Sequence, residues 1–206
     1  MDKKDVRIPQ QKRSIEKKEK IIEAATQIFM KCGYLNTNTA DIAKAAGIST
    51  GSVYAYFEDK KDILLVCLYR FGETLTQQIC EKVAGLSFTG DISNTIKNVL
   101  EIFVNYHNWT KLLHDEIMSL QYIDDDVKKY FDNIQQTMMA ALASQLKVSG
   151  YAFRHEQEQT FLLFQMVMGI EDELAFNHSP NIDQAILIDE CVKAIVPMLT
   201  KSEGKE

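Results

Sequence analysis

Apolar residues recur every three to four positions along nearly the whole chain, the spacing that gathers them on one face of a helix. From about Ser14 to Lys31 the stripe is Ile22, Ala25, Ile28 and Phe29, and Gly33 ends it. Thr39 to Lys60 then reads as two short helices and a tight turn. Ile42, Ala43 and Ala46 share a face of the first helix, with Thr39 expected as its cap. Gly47 follows where a helix end favours a left-handed residue. Ser49 or Thr50 caps the second helix, whose buried side is Val53 and Phe57.

Five longer helices and one short one are expected after that. They run from Lys60 to about Ala84, from Asp91 to about His107, to about Leu120 after a break at Asn108-Trp109, from Asp124 to about Val148, from Glu156 to about Phe176, and from Asn181 to Leu199. No strand is expected. The fold class is all-α with about nine helices: a three-helix domain over residues 1–60, with a basic arm at 1–13, and a larger helical domain over residues 61–206. The stretch FLLFQMVMGI is apolar almost all round, so both of its sides must be covered. Phe161, Phe164 and Met168 are assigned to their own domain. Leu163, Val167, Ile170 and Leu174 are assigned to a partner subunit, joined by Ile188, Val192 and Ile195 of the last helix.

Charge sharpens the division. The formal net charge is −6, but residues 1–60 hold 11 Lys and Arg against 8 Asp and Glu, a net +3, and residues 61–206 hold 12 against 21, a net −9. Positive charge therefore lies in the part of the chain that carries the two short helices. The four cysteines, Cys32, Cys67, Cys80 and Cys191, show no metal-like spacing and read as reduced thiols in a cytoplasmic protein. No apolar run approaches the roughly 20 residues of a membrane span, and no secretory leader is seen. Nucleophile elbows, phosphate-binding glycine loops and zinc-protease motifs are missing, so neither an enzyme, a cofactor nor a metal is expected. His114-Asp115-Glu116 is taken as solvent-facing polarity.

The second short helix exposes Thr50, Gly51, Ser52, Tyr54, Ala55 and Tyr56, a face of short hydrogen-bonding groups, gaps and two phenols suited to base edges and phosphates. Lys60 stands at the start of the next helix, against its dipole, which a docked phosphate would explain. Thr39, Ile42, Ala43, Ala46, Gly47, Ser49, Gly51, Ser52, Val53, Tyr54, Tyr56, Phe57, Lys60 and Leu64, in that spacing, resemble the DNA-binding signature of TetR-family transcriptional regulators. A lysine common in the family is replaced by Thr50, and a proline by Glu58. The resemblance covers about the first third of the chain.

The resemblance implies a homodimeric repressor that binds double-stranded, palindromic operator DNA and releases it when a small-molecule effector enters the C-terminal domain. Phe103, Tyr106, Trp109, Leu113, Met118, Tyr122, Phe131, Met138, Phe164 and Met168 are the candidate pocket lining, with Glu171 as a polar anchor. A dimeric DNA-binding protein without an effector stays open at this point.

Overall fold

The computed structural model describes residues 7–85, 91–106 and 110–201, and within these not the side chains of 7–11, 83 and 103–106. Its helices are α1 Arg7–Cys32, α2 Thr39–Ala46, α3 Thr50–Tyr54, α4 Lys60–Ala84, α5 Ile92–Tyr106, α6 Lys111–Leu120, α7 Asp125–Val148, α8 Glu156–Asp172 and α9 Gln184–Ile195. The class is all-α, as the periodicity requires. Two compact units share the chain: Met1–Phe71 with Trp109–Tyr130, and Gly72–Asn108 with Phe131–Glu206. Both α4 and α7 contribute residues to each unit.

In the first unit Ile21, Phe29, Ile42, Val53, Ile63 and Leu64 lose essentially all contact with water. Burying each is worth about 1.5–3 kcal/mol, and together they bind α1 to the starts of α2, α3 and α4. Phe29 and Tyr34 meet edge to face, 5.5 Å between centroids. In the second unit Ile96 and Leu100 of α5 pack with Leu163, Val167 and Ile170 of α8 and with Cys191, Val192 and Ile195 of α9. A smaller cluster gathers Ile79, Val99, Met138 and Leu146.

Several expectations need correction. Helix α1 begins at Arg7 rather than about Ser14. Pro9 falls in its first turn, where a missing N–H costs nothing, so part of the expected arm is helix; residues 1–6 lie outside the described residues. Asn38, not Thr39, caps α2: its side chain accepts the N–H groups of Ala40 and Asp41, and Asp41 reaches back to the Asn38 N–H. The expectation of no strand also fails, since Tyr151–Phe153 pairs antiparallel with Leu199–Lys201. Helix α8 stops at Asp172 and continues as one wide turn over Glu173–Asn177. His114 and Glu116 are buried rather than solvent-facing.

The faces of α8 differ from the expectation in part: Phe164 does pack within its own unit, but Phe161 turns outward. Leu163, Val167 and Ile170, expected against a partner, are core residues of their own protomer, as are Val192 and Ile195 of α9, while Leu174 and Ile188 are half-buried against that core. The outward residues are instead Phe161 (47% exposed) and Leu162 (49%) on α8, and Ile186 (60%) on α9. The pattern Leu163, Val167, Ile170 advances by four and three, the spacing that meets the stripe of α5 and the buried side of α9 together.

Candidate functional site

The first unit builds a helix-turn-helix from α2 and α3. Gly47 ends α2 at φ +68°, and the next amide, Ile48 N–H, reaches back to the Ala43 carbonyl at 3.0 Å. This closes the turn in the left-handed conformation that glycine adopts without strain. Ser49 caps α3 by accepting the Ser52 N–H, and the two hydroxyls share a hydrogen bond at 2.8 Å. Val53 anchors the inner side of α3, fully buried, and Phe57 follows it into the core. Gly51, Tyr54 and Ala55 are exposed, with Thr50 and Ser52 half-exposed beside them. The face expected to meet DNA is thus the face that looks outward.

Its phenols are already oriented. The Tyr54 hydroxyl shares a 2.9 Å hydrogen bond with Thr39 Oγ1 at the start of α2. Tyr56 Oη accepts from Ser14 Oγ of α1 at 3.3 Å. Around Tyr56, a shallow depression is lined by Arg13, Ser14, Glu16, Lys17 and Lys20. Three cations against one carboxylate, beside a phenol, can take a phosphate run. Arg13 belongs to the stretch expected as a basic arm and stands instead on α1, which begins at Arg7.

Lys60 departs from expectation. Its Nζ donates to the carbonyls of Tyr34 and Thr37 at 2.7 and 2.6 Å, and lies 4.1 Å from the Tyr34 ring centroid. Burial pulls it below the ordinary lysine range, and the nearby Glu116 carboxylate opposes that fall. Two of its three donors are committed, so it ties the α1–α2 turn to α4 rather than presenting a free charge. Glu116 completes the clamp: its carboxylate accepts the N–H groups of Tyr34 and Leu35, at 2.5 and 3.1 Å. No local pattern marks a residue so far along the chain as part of this turn.

The second unit contains a cavity of 240 Å³ walled by α4, α5, α7, α8, α9 and the last strand. Of the expected lining, Met138 and Phe164 are on its wall. Phe131 and Met168, both half-buried, and Glu171, buried on α8, belong to the same unit but not to that wall. Leu113, Met118 and Tyr122 belong to the first unit, Leu113 in its core and Tyr122 largely in solvent. The side chains of Phe103 and Tyr106, and all of Trp109, lie outside the described residues. Ile79, Val99 and Leu100 also line the cavity and are not among the expected lining. A stripe residue beside a void and one in solid packing have the same periodicity.

Comparison with known proteins bears on the first unit most directly. The model of the bacterial regulatory proteins, tetR family, matches residues 21–67. The HTH-type transcriptional regulator HbdR of Aromatoleum is 42% identical over 72 residues, 35% of this chain and 31% of HbdR. An uncharacterised HTH-type transcriptional regulator of Bacillus subtilis, YerO, is 28% identical over 82% of this chain and 59% of its own length. The chain's match therefore spans about a third of HbdR and three fifths of YerO. Among solved structures, Salmonella enterica GusR superposes with a TM-score of 0.66 at 18% identity, covering 88% of this chain and 96% of that one, which is a likeness of fold. Over residues 21–67, its helix-turn-helix segment, this chain matches the TetR family of bacterial regulatory proteins, and its described residues share the fold of GusR.

Proposed function

We propose that the chain is a homodimeric transcriptional repressor that binds palindromic double-stranded operator DNA and lets it go when a small molecule enters the cavity of the second unit. The observation that carries this is the outward face of α3. In this reading Thr50, Ser52 and Ala55 meet base edges and Tyr54 and Tyr56 meet phosphates, with Thr39, Ser49 and Gly51 framing them, which their outward exposure supports. Arg13, Lys17 and Lys20 extend the phosphate contact along α1, in place of Lys60. The protein acts by binding and not by turnover. Its four cysteines are free thiols, which supports work in the reducing cytoplasm; among the described residues no helix is long and apolar enough to cross a membrane.

The partner surface is the outward side of α8 and α9, centred on Phe161, Leu162 and Ile186. A two-fold dimer places two α3 helices in successive major grooves, about 34–36 Å apart or a multiple of it. The effector acts only through its different affinity for the DNA-binding and released states. Selection from a random-sequence duplex library, followed by fluorescence anisotropy across a salt series, tests the reading. The expected product is a palindrome whose affinity falls steeply with salt. Equal binding of every duplex would overturn the operator reading, and an operator complex indifferent to all cavity-binding compounds would overturn the effector reading.

A further inference from the structure

We infer that the effector of this protein is a small uncharged molecule, apolar over most of its length with one hydrogen-bonding group placed at Gln145. The inference rests on the proposal that the second unit's cavity holds the effector. Among the described residues on the wall there is no Asp, Glu, Lys, Arg or His. Met138, Phe164 and their neighbours present methyl, thioether and ring surface. A carboxylate or ammonium carried inside would lose its water and find no counter-charge, at a cost of several kcal/mol.

The polar groups on the wall are few and unequal. Thr160 donates its hydroxyl proton to the backbone carbonyls of Glu156 and Gln157, at 2.5 and 3.2 Å, so no donor remains for a ligand. Cys80 is a half-buried thiol that burial keeps protonated, a weak donor at best. Ser144 is exposed and marks the rim. Gln145, one residue on and half-buried, makes no side-chain hydrogen bond among the described residues and is the one amide on the wall. It offers two donors and an acceptor, enough to hold a carbonyl or hydroxyl oxygen. At 240 Å³ the cavity has room for on the order of eight water-sized groups, taking about 30 Å³ for each. That is the size of a short aliphatic alcohol, ketone or ester, or of a substituted phenol.

Calorimetric titration of the full-length protein with 1-octanol, octanoate and octylammonium at neutral pH tests this, because the three probes share a chain and differ in head group. Saturable 1-octanol binding is expected, with both ions at least about tenfold weaker, the equivalent of 1.4 kcal/mol. Gln145→Leu should weaken 1-octanol about fivefold, the loss of one ordinary hydrogen bond, and Gln145→Glu should turn the preference toward octylammonium. Filling the cavity with Val99→Trp, or with the smaller change Leu142→Phe where the first does not fold, should abolish binding. Octanoate or octylammonium binding as tightly as 1-octanol, and lost on filling, would overturn the neutral class while leaving the cavity as the effector site. No binding by any probe, or binding untouched by filling, would overturn the cavity reading and this inference with it.

Discussion

Replacing Glu116 by alanine should loosen the DNA-binding unit although Glu116 is remote from α3 in sequence and carries no expected role there. Glu116 is 8% exposed, and its carboxylate accepts the amides of Tyr34 and Leu35 in the turn between α1 and α2. Lys60 holds the carbonyls of Tyr34 and Thr37 in the same turn. Packing against the turn is close: a Cβ added at Gly33 would stand 2.6 Å from Glu116 Oε1, and Gly33 has φ +81°. Alanine leaves two amide donors without their acceptor, at about 1–3 kcal/mol each. Water entering the vacated space recovers part of that, so the expected loss is about 2–4 kcal/mol. Glutamine keeps a neutral acceptor of roughly half the strength and should cost about 1–2 kcal/mol. For a chain of this size each kcal/mol moves Tm by about 2–4 °C, so Glu116→Ala should lower it by about 4–16 °C. Thermal unfolding by circular dichroism measures the loss, and native-state amide exchange locates it. The reasoning fails if Tm falls by less than about 2 °C and the Tyr34 and Leu35 amides exchange as they do in the parent.

Lys60→Met should reduce stability yet leave the salt slope of DNA binding unchanged, whereas Lys17→Ala should lower that slope by about 1; anisotropy titrations from low to moderate salt separate the two, and the opposite pattern would return Lys60 to the phosphates. Asp124 gives a pH dependence: partial burial pushes its carboxyl up, but the Val127 N–H and the Lys61 ammonium outweigh this and hold it below its ordinary 3.8. Its contribution is therefore complete above that value and is lost as pH falls through the lower folded value, so Asp124→Asn should flatten the acid limb of stability below about pH 4; an unchanged acid limb would contradict the assignment. On the outward side of α8 and α9, Phe161→Glu and Ile186→Glu should give folded monomers by sedimentation, while Val167→Glu, in the core, should unfold the second unit. Folded dimers from all three would refute the face assignment.

How far the sequence could be read depends on the range of the interactions involved. The turn from α2 to α3 is decided within about ten residues by Gly47, Ser49 and Val53, each acting through its own backbone or its nearest neighbours. Most helix extents follow for the same reason, with the start of α1, the end of α8 and the cap of α2 as exceptions, the last although Asn38 and Asp41 form a capping pair visible in the sequence. Which stripe of α8 faces its own core is a different kind of question. Phe161 and Leu163 are equally apolar and equally periodic, and only the positions of α5 and α9 choose between them.

Lys60 shows how such long-range choices leave a local trace. A lysine in the first turn of α4 opposes the helix dipole, and Asp59 already caps that turn by accepting the Asp62 N–H at 2.8 Å. The local conflict was real, and a phosphate was one way to resolve it. The structure resolves it inside the protein, with two backbone carbonyls and a tyrosine ring. A residue at odds with its own helix is therefore a reliable sign of a partner elsewhere, but not of whether that partner is a ligand. Deciding that takes the geometry of the ammonium: committed donors argue for a brace, and uncommitted donors argue for a contact. By that criterion the brace is Lys60, and the proposed phosphate contacts are Arg13, Lys17 and Lys20, exposed along α1 beside Tyr56.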